Sequence, residues 1–181
     1  MDTTVSKLIV ITGGPGAGKT STLEQLQQAG YSVVREVARK IIAERKSQGL
    51  SPRPEPAQFA QAIFEQDVQQ YDLAAARNEL TFFDRSILDS LGGLMGLGLM
   101  TETQRNEVVA RYPYHSSAFI FPPWKAIYRT DSERDQTYDE SVRVYNSICR
   151  FYKRCGYTLL EVPRLSVDER CQFLIDSTAG L

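Results

Sequence analysis

Residues 13–21 read Gly13, Gly14, Pro15, Gly16, Ala17, Gly18, Lys19, Thr20 and Ser21: four glycines and a proline ahead of a lysine and two hydroxyls. Glycine and proline make poor regular structure, so such a run serves something else. Gly13, Gly18, Lys19 and Thr20 satisfy G-x-x-x-x-G-K-[ST]. Glycines let the backbone curl until successive N–H groups point at a phosphate chain. A helix that begins near Lys19 would add the positive end of its dipole. The lysine would reach the β- and γ-phosphates, and the Thr20 hydroxyl would ligate Mg²⁺. Residues 13–21 are therefore the expected contacts of a nucleoside triphosphate with magnesium. The chain contains no Asn-Lys-x-Asp guanine-reading sequence, which points to adenine and hence ATP.

Phosphoryl transfer needs a further carboxylate in the magnesium shell, and often one that orients the nucleophile. Asp84 closes the apolar run Leu80–Phe83 and is the candidate for the first role, with Arg85 beside it projecting over the phosphates. The alternative for Asp84 is to cap a helix that begins near Ser86. Glu36 follows the run Tyr31–Val34 and is the candidate general base or acceptor-orienting group. Its alternative is a first-turn helix glutamate favoured by the dipole. Arg39 lies one turn on, able to bind acceptor phosphate or to pair with Glu36. Arg129 and Arg134 stand in a charged segment and could neutralise transition-state charge, or simply balance Asp131, Glu133 and Asp135. Trp124 reads as a core or lid anchor more than a stacking platform. Gln61, Gln66 and Gln70 are candidate hydrogen-bonding readers of a substrate, and His115 marks a strand entrance.

These residues need a frame to hold them. Lys7–Thr12 is an unbroken apolar, β-branched run of the kind that a parallel sheet buries on both faces. Leu23 and Leu26 then repeat at helical spacing, and Gly30 stands where a helix ends. Strand-like runs recur at Tyr31–Val34, Leu80–Asp84, Ala118–Trp124 and Thr158–Pro163. Helical runs lie between them, including an apolar stripe of Phe59, Ile63, Phe64, Val68 and Tyr71. Residues 87–112 read as helical but partly irregular, and the charged residues 125–141 show no apolar period. A helix follows from Val142, with Val144, Ile148, Phe151 and Tyr152 on one side, and a last one covers Val167–Asp176. About five βα units predict an α/β domain, a parallel sheet with helices on both faces. In such sheets ligands bind beyond the carboxyl ends of the strands, where Gly13, Glu36, Asp84 and Arg85 fall. One domain over 1–181 is expected, with a lid at about 124–140.

Composition excludes several classes. The chain is 42% hydrophobic and 24% charged, with a formal net charge of -1, so neither disorder nor a global pull toward nucleic acid or anionic membrane is expected. Three cysteines without CxxC spacing and a single histidine argue against a Cys/His metal centre or a His-based triad. No run has the form of a signal peptide or is long enough to cross a bilayer, so a soluble cytoplasmic protein is expected.

The stretches VITGGPGAGKTSTLEQL, GYSVVREVAR, FFDRSILDS, FIFPPWKAIYRTDSER and GYTLLEVPRLSVDER together resemble the small stand-alone ATPases of the AAA-domain type. These are grouped with the ribosylnicotinamide kinase domain of NadR. The resemblance implies a P-loop, kinase-like fold with a five-stranded sheet in the order 2-3-1-4-5. Asp84–Ser86 is similar to the Asp/Glu-Arg-Ser/Tyr motif of deoxynucleoside and thymidylate kinases, where the acid assists magnesium and the arginine contacts phosphate. Glu36 is similar to the acid that touches the acceptor hydroxyl in deoxynucleoside kinases. The expected activity is transfer of the ATP γ-phosphate to a nucleoside-like small molecule. The alternative is an ATP-hydrolysing switch that acts on a protein partner. An oligomeric remodelling machine fits poorly, because the fourth strand ends in Phe-Pro-Pro-Trp without an acidic pair.

Overall fold

The computed structural model describes residues 6–52, 54–128 and 137–181. In order, the elements are β1 (Leu8–Gly13), α1 (Lys19–Gln28), β2 (Ser32–Val34), α2 (Val37–Ser47), α3 (Pro56–Ala75) and β3 (Thr81–Asp84), then α4 (Ile87–Gly96), α5 (Glu102–Arg111), β4 (Ser117–Phe121), α6 (Tyr138–Arg154), β5 (Thr158–Glu161) and α7 (Val167–Ser177). The five strands form one sheet in the order β2-β3-β1-β4-β5, and every pairing is parallel. This is the order that the resemblance implied.

β1 lies at the centre and is buried along its whole length, which explains its unbroken apolar run. Its alternate side chains enter different cores. Leu8 and Val10 pack with Phe83, Tyr71 of α3, Leu88 and Leu91 of α4, and Tyr152 of α6. Ile9 and Ile11 pack on the other face with Phe82, Leu23 and Leu26 of α1, and Leu174 of α7. Each fully buried side chain of this kind contributes about 1.5–3 kcal/mol relative to exposure.

Local chemistry sets the helix ends. Pro56 opens α3 behind Glu55, whose carboxylate accepts from the Ala57 and Gln58 N–H groups. Gly30, at φ 91°, ends α1 by adopting the left-handed region. Residues 87–112 are helical with an irregular break, as expected: two helices flank the non-helical residues 97–101, which include Gly98 (φ 71°), and capping boxes start both, Ser86 with Asp89 and Thr101 with Gln104. One stretch differs from the sequence expectation. α6 starts at Tyr138, earlier than apolar periodicity suggests, because a third capping box, Thr137 with Glu140, satisfies its first N–H groups. Among the described residues no helix is long and apolar enough to cross a membrane.

Candidate functional site

The loop between β1 and α1 lies over the carboxyl end of the central strand. Gly13 has φ 139°, and a Cβ there would lie 2.5 Å from the Phe121 carbonyl oxygen of β4. Gly16, at φ 73°, lies against the Tyr128 ring, 2.5 Å from a would-be Cβ. Gly18 is the N-cap of α1 at φ 88° and offers no side-chain cap, so the first N–H groups of that helix have no side-chain acceptor at the cap. Lys19 is buried and folds back across the loop, donating to the Gly13 carbonyl at 3.2 Å and the Gly14 carbonyl at 3.0 Å. Burial, reinforced by the Arg85 charge, lowers its pKa to about 8 against the pull of Asp84, Glu36 and Asp89. The Thr20 side chain is exposed. The Ser21 hydroxyl turns inward and donates to the Gly18 carbonyl at 3.1 Å. Arg170 of α7 donates to the same carbonyl at 3.2 Å, and its guanidinium stacks over Phe121 and Trp124.

Asp84 ends β3 in register with Ile11 of β1, which places its carboxyl beside the loop. It does not cap α4, because Ser86 does. It is 6% exposed, and its Oδ1 is buried with no hydrogen-bond partner. Burial raises its pKa, with Lys19 opposing. A buried carboxylate oxygen left unpaired is costly unless a cation or donor joins it. That oxygen and the Thr20 hydroxyl are hard oxygen ligands of the type Mg²⁺ takes alongside phosphate oxygens. The residues present therefore fit a magnesium ion bound together with phosphates. Among the described residues no cluster of three or more His, Cys, Asp or Glu side chains could hold a metal alone.

Arg85 has a left-handed backbone, φ 67°, and its N–H donates to the Ile11 carbonyl at 2.9 Å. Its guanidinium is held by two carboxylates and acts electrostatically on Lys19 of the loop. Nε donates to Glu36 Oε1 at 3.0 Å and Nη1 to Asp89 Oδ1 at 3.4 Å. Glu36 is the N-cap of α2, yet its side chain makes no cap. It accepts from Arg85 and from Arg39 Nε at 3.0 Å. Burial works to raise its pKa, but Arg85, Lys19 and Arg39 prevail and hold it at about 2. Glu36 is thus a fixed anion.

Two carboxyls escaped the sequence reading. The Asp89 side chain is 8% exposed and accepts from Thr12 Oγ1 at 2.6 Å and Tyr152 Oη at 2.6 Å, tying α4 to the end of β1 and to α6. Asp67 stands on α3, four residues from Ile63 and four from Tyr71, inside the apolar stripe. An acid in that stripe was the available signal. A cavity of about 220 Å³ lies between α2, α3 and α4, and its wall includes Glu36, Asp67, Arg85, Asp89 and Ser90 with Val37, Ala38, Ala60, Ile63 and Gly93. The residues of α3 on that wall are Ala60, Ile63 and Asp67, not Gln61, Gln66 or Gln70. Gln61 is exposed and bonds Glu65 at 2.9 Å. His115 precedes β4, its ring against the Ser117 N–H at 3.2 Å. Arg129 and Arg134 lie outside the described residues, as does much of the proposed lid.

Comparison with known proteins agrees with this fold. A family model described as "AAA domain" matches residues 8–170. The deoxyadenosine kinase of M. mycoides with bound dATP is similar over 94% of this chain and 97% of its own, with 17% identity and a TM-score of 0.61. A NadR protein in complex with NR is similar over 98% of this chain but 52% of its own, with 15% identity and a TM-score of 0.70. The thymidylate kinase of Ehrlichia chaffeensis is similar over 96% of this chain and 98% of its own, with 13% identity and a TM-score of 0.62. At such identities the shared property is the fold. No curated protein matches the chain in sequence.

Proposed function

This chain belongs to the AAA-domain family, and from that premise we propose that it is a P-loop kinase that moves the γ-phosphate of ATP to a hydroxyl of a nucleoside-like small molecule. The observation that carries this is the pairing of two compartments at one sheet edge. The phosphate loop occupies the end of β1, and the cavity walled by Glu36 and Arg85 opens beside it. A protein that only hydrolyses ATP has no need of the second compartment, since water requires none. That solved structures with this fold include a deoxyadenosine kinase and a thymidylate kinase supports the choice.

In this proposal the loop N–H groups of Gly14 and of residues 16–20, with the Lys19 ammonium, hold the triphosphate. Thr20 and Asp84 hold Mg²⁺, which when bound neutralises charge on the phosphate oxygens. Glu36, a carboxylate at any pH above about 2, accepts the hydrogen bond of the acceptor hydroxyl and aims its oxygen at the γ-phosphorus. An acid held that low is a weak base. Its role is to orient, which suffices for a loose transition state whose proton leaves late. Arg85 fixes Glu36 and borders the path of the transferred phosphoryl group. The acceptor O–P bond forms as the bond to the ADP oxygen breaks, and the acceptor proton is released.

The test is ADP formation by purified protein with Mg²⁺-ATP, alone and with pools of nucleosides, nucleotides and vitamin-like alcohols, Lys19→Ala serving as the blank. ADP that depends on one pool, with a phosphorylated product in the same tube and a drop of at least about 100-fold in Lys19→Ala, is expected. ADP formed at one slow rate whatever is added would replace the kinase with a hydrolytic switch that acts on a protein partner.

A further inference from the structure

Asp67 takes no part in the phosphate chemistry, yet it stands in the wall of the cavity beside Glu36 and Arg85. α3 packs on α4 there, and the rest of the α3 contribution is apolar, Ala60 and Ile63. A carboxyl in such a place costs free energy unless something donates to it. The neighbouring acids have donors: Glu36 is held by Arg85 and Arg39, and Asp89 by Thr12, Tyr152 and Arg85. Asp67 has the Ser90 hydroxyl next to it. That hydroxyl owns one proton, and the Ile87 carbonyl lies 3.1 Å from it, competing for the same hydrogen. Acceptor capacity is therefore left over on Asp67, at the surface of a space large enough for part of a ligand. Charge points the same way. Among the described residues the wall carries three carboxyls, Glu36, Asp67 and Asp89, and the guanidinium of Arg85, with Arg39 paired to Glu36 from outside it.

Building on the kinase proposal, on which it rests, we propose that Asp67 selects the acceptor: a nucleoside-like alcohol whose ring system presents an N–H donor to this carboxyl, and which carries no phosphate of its own. A ring donor completes the hydrogen bonding of Asp67, and a phosphorylated acceptor would add two negative charges to a wall already in surplus. Asp67 is half-buried, and a site built to hydrogen-bond a substrate N–H rejects an analogue that lacks it more strongly than a hydrophobic pocket rejects a missing methylene. Burial lifts the Asp67 carboxyl to about 7, against the Ser90 hydrogen bond and Arg85 and with Asp89 and Glu36 adding to the rise. The Tyr114 hydroxyl is the other titratable group near it. A donor ligand draws this carboxyl into its ionised form.

The experiment compares adenosine, guanosine and cytidine with purine riboside, whose ring bears no N–H donor, and with the three 5′-monophosphates. It reads both kcat/KM with Mg²⁺-ATP and direct binding by calorimetry, in the wild-type protein, Asp67→Leu and Asp67→Asn. Asparagine keeps an acceptor oxygen at the same place and controls for folding, which thermal melting checks in both variants. The wild type is expected to favour at least one amino-bearing nucleoside over purine riboside by at least about 10-fold, and to bind the monophosphates more weakly. Asp67→Leu should bring that preference within about threefold of unity, while Asp67→Asn retains most of it. Equal losses for all ligands in Asp67→Leu, or a wild type that prefers purine riboside or a monophosphate, would overturn the assignment and leave the kinase reading standing. Nucleosides bound in an Asp67-dependent way but never phosphorylated would uphold Asp67 and sink the kinase. If no nucleoside binds, Asp67 has no such role.

Discussion

Lys19 enters its site with a weakened hold on its proton. Burial lowers its pKa to about 8, and its ammonium donates to the Gly13 and Gly14 carbonyls across the loop. A triphosphate brings negative charge to within a few ångströms and restores the ordinary affinity for the proton. Binding of ATP at pH 8 should therefore take up roughly half a proton, and the affinity should fall as pH rises past 8. Calorimetry in buffers of different ionisation heat measures the uptake. Lys19→Ala should abolish it, and uptake that survives in that variant would assign the proton elsewhere. The lysine and its loop were legible in the sequence because the whole device lies within nine consecutive residues. Asp84 was legible because it ends an apolar run. What Arg85 touches was not: its partner Glu36 lies 49 positions away, and only the fold brings that acid to the guanidinium. The role of Asp89 was hidden for the same reason, since Thr12 lies 77 positions away.

Among the elements, β1 and its loop tolerate the least change. A side chain at Gly13 would meet the Phe121 carbonyl at 2.5 Å, on a backbone with φ 139° that other residues rarely adopt. Gly13→Ala should cost at least about 2 kcal/mol of stability and also bend the phosphate loop. Thermal melting together with ATP titration checks this. A variant that melts like the wild type would mean the strand end gives way at little cost. The inner strands β1, β3 and β4 could be read from their apolar runs, because two-faced burial leaves no polar alternation to confuse with a helix, whereas the outer strands β2 and β5 are only partly buried. Helix starts were harder. The Thr137–Glu140 box that opens α6 lies in a stretch dense with charge, where apolar periodicity is silent. Ser86 with Asp89 likewise turns a glycine-rich stretch into the regular helix α4, since its glycines are outweighed by five buried side chains.

Across the whole molecule, the two compartments are held together by contacts that cross the chain. Asp89 joins α4 to β1 and α6, and Arg170 joins α7 to the loop at Gly18 while lying between Phe121 and Trp124. Arg170 is 4% exposed, so its loss leaves the Gly18 carbonyl short of a charged donor. Arg170→Met is expected to weaken ATP binding by about 10-fold and lower the melting temperature by several degrees, with little change in acceptor affinity. An unchanged ATP affinity would show that α7 buttresses the sheet without shaping the loop. The number of strands followed from spacing, but their order did not: it came with the resemblance, because nothing local tells β1 to lie between β3 and β4. That central position also sets a timetable. β1 is made before β3 and β4, its two neighbours, and the helix that steadies its loop comes later still, with Arg170 152 positions after Gly18. Pairings so distant in sequence are slow to form. During synthesis the nucleotide cradle stays without its β4 neighbour and its Arg170 donor until α7 has emerged, so a chain that stops short of α7 is expected to hold ATP poorly.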